Sequence, residues 1–204
     1  MHMNRKMKYQ AGFTLVELMV TVAVAITVLA IGIPLFDSMV ANNRAVTQSN
    51  SLVTALNLAR NEAVSKNITS TICADADTDP ATFVCGITSD YDWANGWFVF
   101  NDEDGDGIRD NTEPVIKLWE SLGPEADVVT TVPFVRFNSL GEKIGTALIS
   151  FRLAQVDNND EIASSSQPRC VYLNAIGQLR TGRAETSGGD PVRIGDEASD
   201  IVCP

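Results

Sequence analysis

The sequence predicts an α+β protein: a long N-terminal helix, transmembrane in its first half, packed against an antiparallel, β-sandwich-like C-terminal domain. Three observations predict this. Leu18 to Phe36 is a run of nineteen residues without a charge, the length a helix needs to cross a hydrocarbon core of about 30 Å. Helical periodicity then continues through polar sequence to about Lys66. Beyond Asn67 the pattern changes to short β-rich runs separated by clusters of Asp, Asn, Gly, Pro and Ser.

Residues 1–12 carry Arg5, Lys6 and Lys8 and no acidic residue. Basic residues ahead of the apolar run and none directly after it orient the N-terminus toward the cytoplasm. A secretory signal is cut just beyond its apolar region at a small-x-small site, and no convincing Ala-x-Ala site follows the apolar run, which continues directly into helical periodicity. The small-residue junction beside the basic leader is Gly12-Phe13, ahead of the apolar run. Cleavage there would remove residues 1–12 and leave the hydrophobic helix as the new N-terminus.

Glu17 is the fifth residue after that junction. A carboxylate inside a membrane helix costs about 2.5–3.5 kcal/mol on insertion scales, so it usually has a partner. With the leader gone, the nearest available cation is a new α-amine on Phe13, most usefully that of a neighbouring subunit. Solvation of Glu17 in the interface is the alternative.

The helix spans residues 13–66, with residues 15–36 in the membrane. In its second half Val46, Leu52 or Val53, Leu56, Ala59 and Ala63 recur at three- and four-residue intervals, a narrow apolar stripe suited to packing on a globular domain. Gly32 and Pro34 predict a kink or loosened turn, because proline deletes one backbone hydrogen bond. In the domain 67–204, strands are expected at Ile68–Cys73, Gly96–Phe100, Val115–Trp119, Val128–Phe137, Ala147–Leu153, Cys170–Leu173 and Gln178–Thr181. The aromatics Tyr91, Trp93, Trp97, Phe98 and Phe100 read as core packing rather than a sugar platform.

Loss of the leader takes the formal charge from −11 to −14. That acidity argues against nonspecific binding to nucleic acid. The single histidine, His2, lies in the leader, so the mature chain has no histidine for catalysis or metal binding. No nucleophile–base pair and no glycine-rich phosphate loop stands out, and an enzyme is not expected.

Four cysteines, Cys73, Cys85, Cys170 and Cys203, lie beyond the apolar run. An even count outside the cytoplasm reads as two disulfides. Of the three possible pairings, Cys73–Cys85 with Cys170–Cys203 closes the shorter intervals. Each would stabilise by roughly 3–4 kcal/mol in the chain-entropy model.

The stretch from Asp102 to Glu113 matches the ligand spacing of a calcium loop. Asp102, Asp104 and Asp106 would supply carboxylates, Ile108 its carbonyl, Asp110 a water-mediated contact and Glu113 a bidentate carboxylate, with Gly107 permitting the turn. Carboxylates packed this closely repel one another unless a hard cation neutralises them. The loop joins two predicted strands rather than two helices, and the same residues also make an ordinary acidic hairpin turn.

Gly12-Phe13-Thr14-Leu15-Val16-Glu17-Leu18 behind a basic leader resembles the class III signal of type IV pilins and type II secretion pseudopilins. The resemblance implies a pilin fold, cleavage by a prepilin peptidase after Gly12, N-terminal methylation of Phe13, and pairing of Glu17 with a neighbour's N-terminus during assembly. Arg60-Asn61-Glu62-Ala63, Gly96-Trp97-Phe98-Val99-Phe100 before the Asp-rich turn, and Asn174 to Arg180 are similar to the FimT/FimU/GspH group. That group implies a minor pilin at or near the tip of a type IV pilus that assists assembly. The alternatives are a minor pseudopilin of type II secretion and a DNA-binding tip pilin for uptake. Other pilins would be its partners. Its place would be the bacterial inner membrane, single-pass with the C-terminal domain periplasmic, and then the assembled filament. FimT-like relatives associate a basic C-terminal loop with DNA; here Arg180 and Arg183 are the candidates, but acidic neighbours surround them and argue against DNA.

Overall fold

A computed structural model describes residues 13–75, 85, 92–156 and 167–183. The chain divides into two compact units, residues 1–39 and 40–204. The first is the N-terminal part of a single helix, α1 (Leu15–Lys66). Its large apolar side chains from Leu15 to Ile33 are exposed. The helix is long and apolar enough to cross a membrane. The helix continues through Gly32 and Pro34, so the proline, which removes one hydrogen bond from the ladder, does not end or divide it.

The second unit begins at Val40 and takes the rest of α1 into its core. Ala45, Gln48, Ser49, Leu52, Ala55, Leu56, Ala59 and Ala63 are buried, one stripe at helical spacing. Ala45, rather than the expected Val46, opens it. Leu52, Ala55, Leu56, Ala59 and Ala63 of this stripe pack in the same core as side chains of the sheets. Asn67, at φ 57°, stops the helix, and the Ile68 N–H reaches back to the Ala63 carbonyl at 3.2 Å. This is a Schellman-type end with asparagine in the left-handed position that glycine more often fills.

Two four-stranded antiparallel sheets follow. The first has the order β3-β2-β1-β5, from β1 (Thr69–Ala74), β2 (Trp97–Asp102), β3 (Val115–Trp119) and β5 (Phe134–Phe137). The second has the order β4-β6-β7-β8, from β4 (Ala126–Val129), β6 (Ile149–Gln155), β7 (Arg169–Leu173) and β8 (Leu179–Arg183). The expected single strand Val128–Phe137 is in fact β4 and β5, which join different sheets. Pro133 stands between them and has no N–H to donate to a ladder.

Leu52, Leu56, Ile72, Trp97, Val99, Phe137, Phe151, Leu153 and Val171 meet in the main core, so helix and both sheets share it. All six residues of β2 are buried. Its unalternating Trp-Phe-Val-Phe run reflects cover on both faces. Trp97 and Val99 enter the main core, while Phe98 and Phe100 join Cys73 and Cys85 in a second cluster. Trp93, Trp97, Phe98 and Phe100 are all core residues as expected; Tyr91 lies outside the described residues.

Candidate assembly segment and candidate cation loop

At the N-terminus, α1 starts one residue after Thr14. The Thr14 hydroxyl accepts from the Glu17 N–H at 3.2 Å, so Thr14 is the N-cap and Glu17 the third helical residue. Thr-x-x-Glu is the sequence signature of a capping box, and it gives Thr14 a role as helix cap beside the signal motif. Glu17 thus sits in the first turn, where helix dipole and carboxylate attract. Phe13 is 80 % exposed, and Gly12 lies outside the described residues. An amine created on Phe13 would stand at the positive end of the helix dipole, and a carboxylate in that turn offsets the repulsion.

The acidic loop leaves β2 at Asp102 and returns to β3 at Val115. Asp102 is fully buried. Its Oδ2 accepts from the Thr71 hydroxyl at 2.6 Å and from the Gly107 N–H at 3.1 Å. Its Oδ1 is buried without a hydrogen-bond partner among the described residues. Burial pushes the Asp102 carboxyl above the usual carboxylate range, against the opposing pull of the Thr71 bond and the nearby Arg136 charge.

Asp104 Oδ1 accepts from the Asp106 N–H, and Asp106 Oδ1 from the Ile108 N–H. Glu113, also buried, clamps the two ends of the loop: one oxygen accepts from the Glu103 N–H at 2.7 Å, the other from the Asp110 N–H at 2.9 Å. Arg136 donates to the Gly105 carbonyl. Gly107, at φ 84°, has the Phe134 ring where a Cβ would sit. The loop is therefore seated on β5 as well as β1. Oxygens of Asp102, Asp104 and Asp106 lie within 4.8 Å of one another. Asp110 and Glu113 are outside that trio.

Cys73 and Cys85 are bonded, with Cα atoms 5.5 Å apart. Cys170 is disulfide-bonded and fully buried; Cys203, its expected partner, lies outside the described residues. Arg180 pairs with Tyr172, and Arg183 with Arg169, across the β7–β8 ladder. Three residues apart on a strand, Arg180 and Arg183 face opposite sides, so the structure does not bring them into one basic surface.

The Arg60 and Asn174–Arg180 segments meet in space. Arg60 Nε donates to the Gly141 carbonyl at 2.8 Å, and its Nη2 lies 3.5 Å from the Ile176 carbonyl. Gly177, at φ 75°, is pressed against the Gly141 carbonyl and the Arg60 side chain. One helical arginine thus ties together the β5–β6 loop and the β7–β8 turn.

An apolar N-terminal helix capped beside a carboxylate, continuing into an antiparallel β domain, defines the pilin-like class of subunit. The family model described as "Type II transport protein GspH" matches residues 48–177, and that of the prokaryotic N-terminal methylation motif matches residues 7–33. The chain belongs to the GspH family. Among solved structures it is similar to the type IV minor pilin FimU of Pseudomonas aeruginosa, with 16 % identity, 69 % of this chain and 89 % of that chain covered, and a TM-score of 0.48. It is also similar to the minor pseudopilin EpsH from the type 2 secretion system of Vibrio cholerae, at 14 % identity, 69 % and 97 % coverage, and a TM-score of 0.45. Comparison with curated proteins gave no match.

Proposed function

We propose that this chain is a minor pilin, a structural subunit held in the inner membrane by residues 15–36 and then incorporated at or near the tip of a type IV pilus, where it assists assembly. The observation that carries the reading is the placement of Glu17 in the first, Thr14-capped turn, four residues beyond Phe13. Cleavage after Gly12 removes the basic leader and creates an amine next to an apolar helix. In a subunit added to a helical bundle, Glu17 is the group that a neighbour's N-terminus can pair with in low dielectric. The exposed apolar side chains of the helix give lipid, and then neighbouring helices, a surface to cover. Prepilin peptidase and other pilins are the partners this requires, and no catalytic step is assigned to the chain itself.

The second reading is a minor pseudopilin of type II secretion. The family to which the chain belongs, that of the type II transport protein GspH, favours it. Both readings share the same processing and the same assembly chemistry. A DNA-binding role has less support, because Arg180 and Arg183 diverge across β8.

N-terminal mass spectrometry of membrane-extracted protein tests the shared step. The expected terminus is N-methylated Phe13. An intact Met1, or a cut beyond Phe36, would overturn the reading.

A further inference from the structure

The acidic loop is not used by the assembly reading, and its chemistry stands apart from it. Between Asp102 and Glu113 there are six carboxylates, those of Asp102, Glu103, Asp104, Asp106, Asp110 and Glu113. None of them forms an ion pair among the described residues. Arg136, whose charge acts on the Asp102 carboxyl, donates its hydrogen bond to the Gly105 carbonyl. A cluster of surface acids alone would say little, since water and salt screen it.

The Asp102 carboxylate is different. It is 0 % exposed, and its Oδ1 makes no hydrogen bond among the described residues. A buried carboxylate oxygen left without a partner costs more than an ordinary missing hydrogen bond. Folding keeps this carboxylate there, one member of a trio in which one oxygen from each residue lies within 4.8 Å of the others. Oxygens on opposite sides of a calcium ion are about 4.6–5.2 Å apart, twice its 2.3–2.6 Å bond length. The trio fits inside that sphere.

We propose that the Asp102–Glu113 loop is a calcium site, with Asp102 Oδ1 as the buried anchor and Asp104 and Asp106 as the solvent-side carboxylates. One oxygen of each of these three residues accepts a loop amide or hydroxyl, and the second is left to the cation. The Ile108 carbonyl and water complete a set of six to eight oxygens. Glu113 closes the loop through Glu103 and Asp110, and each of its oxygens retains a lone pair. Because two of the three carboxylates are exposed, binding is weak, about 10⁻⁴ to 10⁻³ M as in extracellular modules. Calcium would then tie β2 to the loop and, through Thr71 and Gly107, to β1 and β5.

The test uses the full chain in detergent, with calcium and magnesium chloride as probes, read by thermal unfolding and titration calorimetry. Wild type is expected to show heat with calcium and a Tm that rises through the millimolar range by mass action. Magnesium, reluctant to dehydrate, should give less than half that rise. The double variant Asp104→Asn with Asp106→Asn keeps an oxygen for each turn amide, and its calcium-free Tm should equal or exceed that of wild type. Its calcium affinity should fall at least tenfold. Asp102→Asn should lose the calcium response as well. No heat and a flat Tm up to about 10 mM calcium, an equal response to magnesium, or an unchanged response in the double variant would each overturn the proposal.

Discussion

Gly177 shows how much of this fold rests on single residues. Its φ of 75° suits glycine, and the Gly141 carbonyl occupies the space a Cβ would need. Gly177→Ala is expected to destabilise the domain by about 1–3 kcal/mol, measurable as a lowered midpoint in urea. Arg60→Met should cost about as much, because it strips the Gly141 carbonyl of its donor. Lys143 gives the opposite expectation. Its buried ammonium has the Gly145 carbonyl at 2.6 Å, and burial lowers its pKa. Lys143→Met should be neutral or stabilising by up to about 1 kcal/mol in the same assay. The contact of Gly177 with Gly141 was not legible in the sequence. It joins two loops whose approach depends on both sheets being built, and local patterning carries no such distance. Glu17 was legible through its charge in an apolar run, whereas Thr14 as its cap was legible only to a reader looking for helix starts.

Among the elements, β4 and β6 are joined by a buried ion pair as well as by their ladder. Arg152 Nη2 lies 3.1 Å from Asp127 Oδ2, and Arg152 is 5 % exposed. Burial lowers the Arg152 pKa, and Asp127 opposes that shift. Asp127→Ala would leave a buried guanidinium without its counter-charge, and about 3–5 kcal/mol of stability should be lost in thermal or urea unfolding. The double change Arg152→Met with Asp127→Leu should recover most of that loss. The helix, β1, β3, β6 and β7 could be read from periodicity because each carries its own apolar pattern. The split between β4 and β5 could not, since both halves of Val128–Phe137 are β-prone. Only the sheet each half joins separates them. The cation loop was readable as spacing, but the burial of Asp102 was not. That burial depends on pairing with β1, where Asp102 lies opposite Thr69 and the Thr71 hydroxyl, opposite Phe100, reaches its carboxylate.

At the scale of the molecule, the first unit holds Phe13 and Glu17, to which the proposed function assigns processing and assembly, and the second has its own core and its own staple. Cys73–Cys85 closes a short interval of 12 residues beside Phe98 and Phe100. Replacing both cysteines by alanine should lower stability by about 3 kcal/mol, and reductant should shift the wild-type Tm but not that of the variant. The central claim is that the chain works by entering a filament through its N-terminal helix, with Glu17 as the pairing group. It is tested most directly by the amount of this chain in purified filaments, wild type against Glu17→Ala, normalised to the amount cleaved in the membrane. Glu17→Ala should be inserted and processed normally, and its share in filaments should fall at least tenfold, a loss of about 1.4 kcal/mol of assembly free energy or more. Incorporation at the wild-type level would contradict the account.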